Sequence, residues 1–104
     1  MENEFKDIIS TIGKIDQLQK QIIKEKMPYF KTSVTAIIKD KIEAAKSIEQ
    51  LLDQLLDLAF DEEVLLQLKK LCRYYFKIDP VATASYIEGY REMWDNEEPN
   101  DKKR

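Results

Sequence analysis

The chain has 104 residues, of which 43% are hydrophobic and 36% charged, and a net charge of −3. This length suits one small domain, and the composition is that of a folded, highly charged particle and not of a disordered chain. The acid excess argues against holding phosphate backbones by bulk attraction, and no run approaches the ~20 apolar residues of a membrane span.

Two glycines and three prolines leave few turns, so long helices are expected. The single cysteine, Cys72, can form no internal disulfide. "MENEFKDIIS" lacks the long apolar run of a signal peptide. Both features fit a cytoplasmic protein.

From Glu2 to Met27 the apolar residues Phe5, Ile8, Ile9, Ile12, Ile15, Leu18, Ile22 and Ile23 recur at spacings of three and four, which predicts a helix. Ile8, Ile15 and Ile22 share one row, and Gly13 is the weak point. Pro28 then disfavours helical geometry at Met27. It sets either a reversal or a kink, with Thr32 or Ser33 as a cap for the next helix.

That helix is expected from about Ser33 to Phe60. Its second half, "IEQLLDQLLDLAF", is apolar around more than half its circumference and needs contacts on two sides. Leu51, Leu52, Leu55, Leu56 and Leu58 are therefore candidates for self-association. Glu49, Asp53 and Asp57 form an acidic line along this helix, read as a solvated face and not as a cation site.

Asp61 is a good N-cap for a helix from 62 to about 77, with Phe60 and Leu65 at the two positions of a hydrophobic staple. Glu62 and Glu63 suit its start, and Lys69, Lys70, Arg73 and Lys77 its end. The inner arc is Val64, Leu65, Leu68, Leu71, Cys72, Tyr75 and Phe76. "IDP" then ends this helix and starts the last one, with Asp79 as cap and Pro80 at the first helical position. Ala82, Thr83, Tyr86, Ile87, Tyr90, Met93 and Trp94 fall on one arc of about 140° at 100° per residue.

The expected fold is all-α. A single helical domain over residues 1–95 holds two long helices followed by a shorter amphipathic hairpin, about four helices in all. Residues 96–104 are expected to form a disordered polar tail.

"YYFKIDPVATASYIEGY" resembles the junction between tetratricopeptide repeats through Asp79, Pro80 and Tyr86, with Gly89 one place early. No second copy stands at the ~34-residue period of such arrays, and the chain is not assigned to them.

The chain contains no histidine, which removes the commonest general base and metal ligand. Two glycines cannot build a phosphate loop. Cys72 on an inner arc reads as a core thiol. No catalytic, cofactor-binding or metal-binding residue is assigned, and no cofactor, small-molecule substrate or membrane is expected.

Two functional readings remain. The first is a non-enzymatic protein–protein interaction module or small regulatory adaptor that forms homo-oligomers. The second is a nucleic-acid-associated accessory protein acting through the basic face of the third helix. Glu88, Glu92 and Asp95 on the outer face of the last helix argue against the second. The candidate partner surface is Leu66, Lys69, Lys70, Arg73, Tyr74 and Lys77.

Overall fold

The computed structural model describes the backbone of residues 2–94 and the side chains of residues 13–94. The expected polar tail lies outside the described residues. Four helices succeed one another: α1 (Glu2–Lys39), α2 (Ala45–Asp57), α3 (Glu62–Phe76) and α4 (Pro80–Trp94). Among the described residues there is no strand, and no helix is long and apolar enough to cross a membrane.

Of the two readings of Pro28, the reversal fails, and the first break lies further along the chain. α1 runs through Pro28, with neither a reversal nor a new helix at Ser33. Proline in a helix interior costs about 3 kcal/mol. Against this, Ile23, Met27, Phe30, Val34 and Ile37 form one buried stripe spanning both sides of Pro28. Each such side chain contributes roughly 1.5–3 kcal/mol on burial, so the stripe outweighs the proline. Pro28 itself is exposed and lies off the stripe.

The break falls instead at residues 40–44. The Lys41 amide donates to the Ile38 carbonyl at 3.3 Å, and the Ile42 amide to the Ile37 carbonyl at 3.0 Å. This pair of bonds is a Schellman cap, and it needs a left-handed residue at its centre. Lys41 fills that place with φ of 53°. The Tyr74 hydroxyl then donates to the Ile42 carbonyl at 2.7 Å and ties the turn to α3. The expected helix over 33–60 is thus the end of α1, this turn and α2.

The later boundaries fall where the sequence puts them. The Asp61 carboxylate accepts from the amides of Glu63 and Val64 at 3.0 and 3.1 Å. The Asp79 carboxylate accepts from the Ala82 amide at 3.0 Å, and the Thr83 hydroxyl donates to the Asp79 carbonyl at 2.8 Å. Phe60 packs on Trp94, with ring centroids 5.2 Å apart.

The core joins the second half of α1 to one face each of α2 and α3, with α4 laid against α2 and α3. At Gly89 α4 lies close on α2, and an added Cβ would meet the Leu56 side chain at 3.3 Å. The Trp94 indole donates to the Leu56 carbonyl at 2.9 Å and fastens the end of α4.

Two substitutions test this account by chemical denaturation. Lys41→Gly should stabilise the protein by about 1 kcal/mol, because glycine carries no Cβ penalty in the left-handed region. Ile23→Ala should destabilise it by about 2–5 kcal/mol as a buried truncation, while Lys31→Ala, at an exposed position of the same helix, should stay within about 0.5 kcal/mol.

Candidate functional site

The leucines expected to carry self-association are largely spent inside the chain. Leu51, Leu52 and Leu55 are buried in the core, and Leu56 and Leu58 are half-buried against it. The wide apolar face of α2 packs on α1, α3 and α4. Its two-sidedness is satisfied within one chain.

An apolar face that no other described helix covers lies elsewhere, on α1. Residues 13–22 are exposed all round. Ile15, Leu18, Ile22 and Tyr29 are 51%, 62%, 46% and 50% exposed. At 100° per residue all four fall within an arc of about 60°. That arc stands roughly 110° from the stripe that α1 buries in the body. The helix therefore carries two apolar stripes, one used by the fold and one left open.

The basic face of α3 is only partly as expected. Leu66, Lys69, Lys70, Arg73 and Lys77 are exposed. Tyr74 is not a surface contact: it is half-buried, with its hydroxyl on the Ile42 carbonyl. Tyr74 is therefore not free to stack on a base beside the cluster.

The inner arcs of α3 and α4 also close incompletely. Phe76 and Ile87 are 57% and 45% exposed, and Met93 and Trp94 are exposed as well. Gln67, outside the expected inner arc, is buried. The buried arc of α3 is turned about 40° toward Gln67 from the apolar arc. The uncovered remainder forms an open groove of about 460 Å³ between α3 and α4. Leu65, Leu68, Cys72, Phe76, Ile87 and Tyr90 supply most of its wall, and Lys69 and Arg73 stand on its α3 side.

Cys72 lines that groove but is buried. Burial pushes its thiol up to about 11, so it holds little thiolate at neutral pH and is a poor nucleophile.

The acidic line of α2 does meet partners. The Tyr75 hydroxyl donates to the Glu49 carboxylate at 2.5 Å. The Tyr86 hydroxyl donates to the Glu49 carbonyl at 3.4 Å. These bonds fasten α3 and α4 to α2. Among the described residues, no group of three or more acids and cysteines is placed to hold a metal ion.

No protein-family model matches the chain, and neither a curated protein nor a solved structure matches it.

The tyrosines set an alkaline limit. Burial, then the hydrogen bond and charge of Glu49, push Tyr75 up to about 12. Burial, then the nearby Asp53 carboxylate, raise Tyr86 too. An unfolded tyrosine titrates near 10. Between pH 10 and 12 the unfolded chain therefore binds fewer protons than the folded one, and stability falls as pH rises. Cys72 is raised above the ordinary thiol value in the same way, so denaturation midpoints should hold below about pH 8.5 and drop above it, with a shallower drop beyond pH 10 in the Tyr75→Phe, Tyr86→Phe double variant.

Proposed function

We propose that this protein is a non-enzymatic helical interaction module that self-associates through the open stripe of α1. The observation that carries the reading is the alignment of Ile15, Leu18, Ile22 and Tyr29 on one exposed face. The spacing of Ile15, Leu18 and Ile22, three then four, is that of a two-helix seam, and Ile8 continues it in sequence. A second copy of the same helix presents the matching seam, and a two-fold axis is the commonest way for like chains to pair.

Charge selects the orientation. The start of α1 carries Glu2, Glu4 and Asp7 against Lys6, whereas its middle carries Lys14, Lys20, Lys24 and Lys26 against Asp16 and Glu25. An antiparallel pair sets the acidic start of each copy beside the basic middle of the other. A parallel pair would set like charges together, which is unfavourable. In the antiparallel arrangement Ile15 of one copy faces Leu18 of the other.

The nucleic-acid reading has weaker support. Lys69, Lys70, Arg73 and Lys77 are exposed together, yet the same residues complement the helix dipole near the end of α3. Electrostatic binding is strongest at low salt, so a gel shift there, lost on reversing the four charges, would favour it.

Light scattering across protein concentration tests the first reading. The chain should approach twice its monomer mass, and Leu18→Lys with Ile22→Lys should return it to the monomer without loss of helix signal. A monomer at every concentration would sink the proposal.

A further inference from the structure

We infer that the groove between α3 and α4 is a second and separate interaction site, which receives an amphipathic helix with acidic flanks from a partner protein. It is distinct in place from the α1 stripe and does not depend on the chain pairing with itself.

Three features of the groove define the occupant. Its walls are apolar over Leu65, Leu68, Phe76, Ile87 and Tyr90. Phe76 and Ile87 keep about half their surface in water, although a helical hairpin of this pattern would ordinarily close over them. Its length along α3, from Leu65 to Phe76, is about 17 Å at 1.5 Å per residue. That is three turns, matching a helix that anchors by apolar side chains at i, i+3, i+4 and i+7.

The charge on the lining is of one sign. Lys69 and Arg73 line the groove, and among the described residues no acid does. Lys77 continues the row one turn further along the chain. A helix seated on the apolar floor would bring its flank against these bases, where acids are favoured and bases repelled. Arg73 can grip a carboxylate in two-point fashion. The floor offers no nucleophile, because Cys72 is buried there, so the site fits binding and not chemistry.

The test uses the full chain and a fluorescein-labelled 18-residue peptide helix with leucines at the anchor positions and glutamates on both flanks. Fluorescence anisotropy should show saturable binding. Lys69→Glu with Arg73→Glu should weaken it by roughly tenfold or more, and a lysine-flanked version of the peptide should then bind this reversed variant better than the wild type. Ile87→Glu, at an exposed position, should also abolish binding, with the fold checked by circular dichroism.

Four results would overturn the inference. One is the absence of saturable binding by the glutamate-flanked helix. Another is binding that is unchanged by Ile87→Glu. A third is uptake of sodium laurate in place of the helix, which would make the groove a site for fatty carboxylates. The last is loss of self-association in Ile87→Glu, which would make the groove part of the contact between copies. Leu18→Lys with Ile22→Lys should leave peptide binding intact, so failure of the self-association reading and failure of this one are distinguishable.

Discussion

The fold depends on α3 having to bury one face against two neighbours at once. Val64, Leu68, Leu71 and Tyr75 make that face, and all four are buried. α1 and α2 both pack on α3, and among the described residues α4 rests on α2 and α3 without packing on α1. Tyr75 shows how the demand is met. Its ring is buried apolar surface, while its hydroxyl reaches the Glu49 carboxylate on α2. The same division holds at Trp94, whose ring meets Phe60 and whose indole N–H reaches the Leu56 carbonyl. Amphipathic aromatics of this kind join helices and still satisfy their polar atoms.

This arrangement decides which surfaces stay open. Among the described side chains α1 is buried in the body only from Ile23 onward, so residues 13–22 stay exposed. Because the buried arc of α3 leans toward Gln67, its opposite edge is left uncovered by α4. The α1 stripe and the α3–α4 groove are thus two consequences of one packing choice. Both are apolar, and each is bordered by charge that constrains what could cover it.

Much of this is legible from residue chemistry. Asp61 and Asp79 announce α3 and α4, because an acidic cap and a first-turn proline have direct local causes. The break after α1 is not legible. It rests on Lys41 in a conformation that usually falls to glycine, and nothing in "KDKIEAAKS" signals it. Pro28 sends the opposite signal and is overruled by a stripe whose burial only tertiary structure fixes. Tyr74 escapes sequence reasoning for a related reason: its partner is the carbonyl of that unforeseen turn. The apolar arc of α2 reads as two-sided, but sequence cannot say that both sides are met within the chain. The open stripe on α1 contains residues already visible as a row. What the row lacks is the knowledge that the body takes a different face.

The central claim is that two copies pair through the first half of α1, head to tail. Its most direct measurement is the distance between spin labels at Lys24→Cys in a Cys72→Ala background, read by pulsed electron resonance. In the antiparallel pair the labels sit at opposite ends of the seam, about 25 Å apart at 1.5 Å per residue and a helix spacing near 10 Å. A distance of about 10–15 Å would mean a parallel pair, and no intermolecular coupling at high protein concentration would mean that the stripe does not pair at all.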